Sequence, residues 1–394
     1  MIHYIGFYNE PGDIDERKPL KVFASTEKMN YIASVLSKKN KVRVVSPGFS
    51  TANNNFTEKN IEKEKFEVRY LNAFGDGKEA LTVKKIFSGA KEIKRYIDSE
   101  VRHDDKIIFY SVPSMWLLLR NTLMKHKCIL ELEELYYFDK SIMNPIRCVY
   151  KMIENDAISR ISRIIYVSDT LKKNVQKDGI VIYGPFESYQ PSITDTKDKS
   201  EVNILYSGSI DETRGAFNLA KTLVYISEKG LLDRKLNVRV SFVGYFHGKN
   251  AYRQRKDFVG ILELINKKGI KAVFKENLSG DEMKKEIIGA DICVMPQKIS
   301  SVFSEYSFPS KLPRYLSYGK LVVSSAIKPV MESPFGDLVV PYHSDDVDVL
   351  AAALVKAIDL VYSGEFCGRK DKILNEIRKL TSKQEKELLE LLNW

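Results

Sequence analysis

Three segments of the 394-residue chain carry side chains whose types and spacing suit chemistry on a phosphorylated or hydroxylated ligand. The first is Leu205-Tyr-Ser-Gly-Ser-Ile-Asp-Glu-Thr-Arg-Gly215, which follows an apolar run and opens a helical one. Gly208 lets backbone approach a ligand closely, and the helix start after Gly215 offers free N–H groups to an anion. Ser209 lies in the same turn, and Arg214 adds a bidentate phosphate contact. The alternative is a plain strand-to-helix turn with an exposed arginine, and no G-x-G-x-x-G follows this strand. The second segment is Asp291-Ile-Cys-Val-Met-Pro-Gln297, a polar loop, and then Ser304 to Ser325. Here the pattern predicts a strand ending at Pro296 and a helix starting near Pro309 or Ser310, ended by Gly319. Ser310 and Lys311 then occupy the first turn. A lysine there opposes the helix dipole unless an anion lies close, so Lys311 is a candidate anion ligand; a tolerated surface lysine is the alternative. The third segment is Cys128-Ile-Leu-Glu-Leu-Glu-Glu-Leu-Tyr136. A strand ending in carboxylates presents Glu133 or Glu134 at its carboxyl edge, where a carboxylate orients hydroxyls or assists proton transfer. The alternative is a solvated strand end. Glu131, earlier in the strand, reads as structural.

Other polar residues carry less. His247 follows a strand and reads as a surface histidine or a second-domain site residue, and the remaining histidines suggest no triad. The Asp13/Asp15 pair lies in a loop, and Asp346/Asp348 reads as helix capping. The helix predicted over Val83–Ser99 sets Lys84, Lys85, Lys91, Lys94 and Arg95 beside Ile86, Phe87, Ile93 and Tyr96. Such a stripe either packs on a sheet or lies on an anionic membrane surface.

The elements that must position these residues alternate from end to end. Strands are predicted at Ile2–Tyr8, Val42–Ser46, Phe66–Tyr70, Lys106–Ser111, Ile129–Glu133 and Arg163–Val167, with helical patterns between them. A Pro-, Ser- and charge-rich stretch over 186–201 reads as a linker. A second alternation follows, with strands at Asn203–Ser207, Arg239–Val243, Ala272–Phe274, Ile292–Met295, Leu321–Ser324 and Asp337–Val340. This rhythm predicts an α/β fold of two Rossmann-like domains, 1–185 and 202–366, facing a cleft, with a C-terminal helix over 367–394 packing back toward the first. Composition agrees: 44% apolar and 29% charged residues describe a folded globular chain. The net charge of +10 favours an anionic partner. No nucleic-acid-binding signature stands out, and no apolar run is long enough to span a bilayer. Four cysteines without a C-x-x-C suggest neither zinc nor disulfides, so a cytoplasmic location is expected.

The phrase Tyr306-Ser-Phe-Pro-Ser-Lys-Leu-Pro-Arg-Tyr-Leu-Ser-Tyr-Gly-Lys320 resembles the donor-binding region of retaining, family 4-like GT-B glycosyltransferases of the capsule and O-antigen polysaccharide type. The turn ending in Thr213-Arg-Gly215 resembles that family's phosphate loop, and Leu130-Glu-Leu-Glu-Glu-Leu-Tyr136 resembles its Leu-Glu-x-Glu-Glu-x-Tyr phrase. The resemblance implies a GT-B glycosyltransferase moving a sugar from a UDP-, GDP- or dTDP-sugar to a glycan or lipid-linked glycan acceptor. It implies retention and independence of metal; no cofactor is expected, and the lack of a binding signature argues against nucleic acid. Gly208, Ser209, Arg214, Gly215, Gln297, Ser310 and Lys311 are then donor-site residues, Glu305 and Tyr306 meet the sugar or ribose, and Glu133, Glu134 and Glu305 are the catalytic candidates. A lipid-linked acceptor implies attachment to the inner face of the cell membrane. The chain departs from the family at Arg314, where members usually carry the glutamate that holds the ribose; arginine has no acceptor for that bond. Two other readings share the fold: a nucleotide-sugar 2-epimerase, and a catalytically degenerate binding module.

Overall fold

The computed structural model describes residues 1–19, 23–78, 80–136, 143–186, 201–233, 236–246, 250–276, 278 and 280–392. The chain divides into two compact units, residues 1–185 with 381–394, and residues 186–380.

The first unit runs β1 (Ile2–Ile5), α1 (Phe23–Leu36), β2 (Val42–Ser46), β3 (Lys59–Glu62), β4 (Glu67–Tyr70), α2 (Val83–Glu100), β5 (Lys106–Tyr110), α3 (Pro113–Leu123), β6 (Lys127–Leu132), α4 (Asn144–Arg160), β7 (Arg163–Tyr166), α5 (Asp169–Val175) and β8 (Gly179–Val181). Its sheet has the order β3-β4-β2-β1-β5-β6-β7-β8. The β-branched runs of β1, β2 and β5 are buried on both faces, as a parallel sheet covered by helices requires. Ile2, Tyr4, Val44, Ile108, Ile129 and Ile165 form the centre of one core, against Met29 and Ile32 of α1. The expected parallel sheet has one exception: β3 runs antiparallel to β4 at the edge. Its sequence KNIE is exposed except at Ile61, so a short charged strand closes that edge to further pairing.

The second unit runs β9 (Glu201–Ser209), α6 (Ala216–Glu228), β10 (Asn237–Tyr245), α7 (Ala251–Lys267), β11 (Lys271–Glu276), α8 (Gly280–Gly289), β12 (Ile292–Met295), α9 (Leu312–Ser317), β13 (Leu321–Ser325), α10 (Lys328–Met331), β14 (Val340–Tyr342), α11 (Val347–Tyr362) and α12 (Glu365–Leu391). Its six strands are parallel, in the order β11-β10-β9-β12-β13-β14. The strand predicted at Asp337–Val340 is instead a 3₁₀ turn, Gly336–Leu338, and pairing with β13 begins only at Val340. Asp346 is the N-cap of α11 but makes no side-chain cap bond, because its carboxylate accepts from the Ser344 hydroxyl at 2.5 Å. The unit boundary falls within α12, whose Leu388 and Leu391, with the following Leu392, belong to the first unit's core. Of the linker expected over 186–201, residues 187–200 lie outside the described ones.

Both sheets reverse direction once. In the first, the chain leaves β1 for β2 and β4, then returns to β5 on the other side of β1; in the second it leaves β9 for β10 and β11, then returns to β12. Such reversals open a crevice at the carboxyl ends of the strands, where ligands bind in open α/β sheets. The two positions to inspect are therefore the ends of β1/β5 and of β9/β12.

Away from both lies His3, fully buried, with Nδ1 2.7 Å from the Tyr96 hydroxyl and Nε2 3.3 Å from Asp105. Burial lowers its pKa below 6.5 despite the Asp105 carboxylate. The unfolded chain therefore takes up this proton more readily than the folded one. Stability from His3 is present above the unfolded value and is lost as pH falls through it toward the folded value. Urea midpoints followed by Trp116 fluorescence should fall between about pH 7.5 and pH 5.5, and fall less in His3→Gln. Equal falls in both proteins would assign the pH dependence elsewhere.

Candidate functional site

At the β9/β12 reversal the chain turns on glycines. Gly208 has φ +150°, and a Cβ added there would lie 3.2 Å from the Tyr206 hydroxyl and 3.3 Å from Lys311 Nζ. The lysine's ammonium thus sits directly against the Gly208 backbone, although the two residues are far apart in sequence. Tyr315 explains the placement. Its buried hydroxyl lies 2.6 Å from Ser207 Oγ, which pins α9 to the end of β9. Lys311 is one helical turn earlier, its carbonyl accepting from Tyr315 N–H at 3.0 Å, so it emerges on the same side beside the next residue, Gly208. Lys311 is accordingly the N-cap of α9 and Ser310 precedes the helix, rather than both lying in its first turn.

Gly215 closes the turn. It has φ +78°, and an added Cβ would stand 1.6 Å from the Pro296 carbonyl oxygen, so α6 starts in direct backbone contact with the end of β12. Lys298 N–H donates to Thr213 O at 3.0 Å across the same junction, and Arg214 N–H donates to Asp211 Oδ1 at 2.6 Å. The Arg214 side chain is exposed there, and the Tyr206 hydroxyl donates to Ser209 O at 2.6 Å.

The loop after β12 is held from two sides. Buried Gln297 donates to Ser304 Oγ at 3.0 Å, and Ser304 Oγ donates to Lys298 O at 2.6 Å. Asp345 accepts from Ile299 N–H at 2.7 Å and Ser300 N–H at 3.0 Å. Burial raises the Asp345 carboxyl, but these backbone donors outweigh it and hold it below the usual range. Glu305 is exposed, and the neighbouring Tyr306 phenol is raised by partial burial, by the Glu305 charge and by a hydrogen bond to it. Arg314, on α9, is partly exposed, and its carbonyl accepts from Ser317 Oγ at 2.8 Å.

At the β1/β5 reversal the structure gathers a buried charged cluster. Lys28 of α1 is ion-paired to Glu133 and lies 3.6 Å from Glu131 Oε1. The Tyr4 hydroxyl donates to the other Glu131 oxygen. Burial pushes the Glu131 carboxyl up, Lys28 opposes, and the adjacent Glu133 charge adds to the rise, so the balance is upward. Tyr110, at the end of β5, is raised by burial and by Glu133 and Glu131. Glu134 points elsewhere: it is bonded to the Tyr136 hydroxyl, whose burial and carboxylate neighbour raise it. Tyr136 N–H donates to Glu154 Oε1 at 2.9 Å, and its ring centroid lies 6.1 Å from that of Tyr150 of α4, the planes tilted by 39°.

The structure therefore brings together Gly208, Ser209, Gly215 and Lys311 in one unit and Glu133 with Glu131 in the other. Sequence reasoning missed Lys28, Tyr4, Ser207 and Tyr315, and it gave Glu131 no part in the carboxylate cluster. The four-residue spacing of Lys311 and Tyr315 was the only available signal. His247 lies outside the described residues. Asp13 is engaged by the Tyr70 hydroxyl at 2.7 Å and by Lys63 at 2.5 Å, and Asp15 accepts from Gly12 N–H at 3.0 Å.

No protein-family model matches the sequence. No curated protein matches it either. Solved structures do match. Sucrose-phosphate synthase from Thermosynechococcus elongatus is 13% identical over 99% of this chain and 98% of its own, with a TM-score of 0.72. The trehalose-6-phosphate structure from E. coli bound with UDP-2-fluoro glucose is 10% identical over 98% of each chain, with a TM-score of 0.69. The fold is GT-B. The catalytic domain of starch synthase IV from Arabidopsis thaliana, bound to ADP and acarbose, is 9% identical over 98% of this chain and 98% of its own, at a TM-score of 0.67. At such identities the likeness is one of fold.

Proposed function

We propose that the chain is a glycosyltransferase that moves a sugar from a nucleotide-sugar to a growing, lipid-linked surface polysaccharide, with retention at the transferred carbon. The observation that carries the donor half of this reading is the approach of Lys311 Nζ to Gly208 at the β9/β12 reversal. A cation held against bare backbone at the carboxyl edge of a GT-B sheet suits a diphosphate. Lys311 and Arg214 supply positive charge, and the Ser209 turn and the start of α6 supply N–H groups. Charge that develops on the departing diphosphate is then stabilised by preorganised protein cations, with no metal required. Glu305 and Tyr306 meet the sugar or ribose. In the first unit Glu133, oriented by Lys28, and Glu134, oriented by Tyr136, hold acceptor hydroxyls or assist proton transfer.

The test is a thermal-shift series with UDP, GDP, dTDP and CMP, with and without Mg²⁺, since a ligand that binds only the folded state raises Tm. One nucleoside diphosphate should raise Tm regardless of metal. Lys311→Ala and Arg214→Ala should each weaken its binding by about 1.5–3 kcal/mol, the value of a hydrogen bond to a charged group. No shift with any nucleotide, or unchanged affinity in both variants, overturns the donor site. Arg314 supports a second reading, a binding module, because arginine cannot accept from ribose hydroxyls. Nucleotide-sugar bound without transfer or hydrolysis would select it.

A further inference from the structure

The helices α2, α3 and α4 lie side by side, α2 packed on α3 and α3 on α4. Their crossovers, β4 to β5, β5 to β6 and β6 to β7, all step the same way along the sheet. Right-handed connections therefore set all three on one face, with their N-terminal ends at the carboxyl edge of the strands. Toward that edge several of their apolar side chains stay exposed, although Met115 and Trp116 of α3 are buried. Phe87 of α2 is 59% exposed and Met152 of α4 is 72% exposed, and Val83, Leu117, Ile146 and Val149 are likewise exposed. From Met143 to Met152 only Arg147 and Tyr150 are even partly covered. None of the chain's 52 acidic residues falls within 83–91, 113–125 or 143–153, while Lys84, Lys91, Lys125 and Lys151 are exposed there.

The basic face expected on α2 alone is corrected by the structure. Lys85 is fully buried, pairing with Asp76 at 2.9 Å and donating to Ala80 O at 3.1 Å. Lys94 pairs with Asp98 at 3.0 Å and Arg95 with Glu92 at 2.8 Å. Exposed Lys84 and Lys91 of α2 and exposed Lys151 of α4 lie in the same stretches as the exposed apolar side chains.

We infer that the exposed ends of α2, α3 and the first half of α4 form a docking surface for an anionic lipid bilayer. Exposed apolar side chains interleaved with exposed lysines suit the headgroup boundary of such a leaflet. Protein interfaces instead deplete lysine among their apolar contacts. The surface is continuous with the proposed acceptor residues, because the Tyr150 ring of α4 packs at a tilt against Tyr136, which holds Glu134. A bilayer here would bring a lipid-linked hydroxyl to that loop; this part rests on the function proposed above.

Co-sedimentation of the full chain with phosphatidylcholine vesicles, with and without phosphatidylglycerol, tests it. The protein should bind the anionic vesicles and be released by salt. Ile146→Glu/Met152→Glu, at exposed positions, should weaken binding about tenfold or more while Tm and nucleotide binding stay unchanged. Lys151→Glu should weaken it by a smaller factor. Failure of the native chain to bind anionic vesicles, or binding that neither variant weakens, overturns the surface. So does a dimer in solution that the double variant dissociates without any vesicle binding, which would give this face to a second copy of the chain. Vesicle binding without any nucleotide shift would leave the surface standing and remove the glycosyl-transfer reading; the reverse result would remove only the surface.

Discussion

Replacing Lys28 by methionine should destabilise the first unit by about 3–5 kcal/mol, because removal of one partner strands a buried charge. The Lys28 side chain is 5% exposed and serves two carboxylates, Glu133 in direct contact and Glu131 at 3.6 Å. Glu131 is completely buried, and its folded-state pKa is already raised by that burial. A raised carboxyl favours the folded state below its unfolded pKa and opposes it as pH rises through the folded value. Loss of Lys28 removes the charge that opposes this rise, so the Glu131 carboxyl goes further up. The gap between Lys28→Met and the native chain should therefore widen from about pH 5 to pH 8, and Glu133→Gln in the Lys28→Met background should recover part of it. Urea unfolding monitored by Trp116 measures this. A gap under about 1 kcal/mol that does not change with pH would mean that the pair is solvated and does not order Glu131 and Glu133.

Gly215→Ala should cost the second unit about 2–5 kcal/mol, combining the left-handed conformation with a clash that backbone cannot relieve cheaply. The added methyl would stand 1.6 Å from the Pro296 carbonyl oxygen. To accept it, the start of α6 must separate from the end of β12, which opens the turn that carries Ser209 and Arg214. Gly230 supplies the control. It has φ +60° and no atom within 4 Å of an added Cβ, so Gly230→Ala should cost only about 1 kcal/mol. Thermal unfolding by circular dichroism compares the two, and nucleoside diphosphate affinity should fall only in Gly215→Ala. Equal costs would show that conformation alone, and not contact with Pro296, demands glycine at 215.

Much of the fold was legible in the sequence for local reasons. Runs such as Val-Arg-Val-Val-Ser in β2 alternate with helical stretches, and their periods declare element types without reference to neighbours. The same held for Gly208, Gly215 and Gly319, all of which have positive φ, and for Lys311 near a helix start. Less legible were short elements whose limits depend on pairing, such as β14, and the edge strand β3, whose exposed KNIE sequence shows no apolar alternation.

By itself, then, the sequence determined two β-α alternations, the turn after β9 and the carboxylates after β6, because propensity, period and glycine conformation act within a few residues. Tertiary structure alone decided that Lys28 serves Glu133, 105 residues away. It alone decided that the Tyr315 hydroxyl ties α9 to Ser207 and so brings Lys311 to Gly208, and that Lys85 is buried while the first half of α4 stands exposed. A lysine in an amphipathic pattern has the same local signature whether it meets water, a bilayer or a buried carboxylate. Only the packing of elements distant in sequence sets the dielectric and the partner it finds.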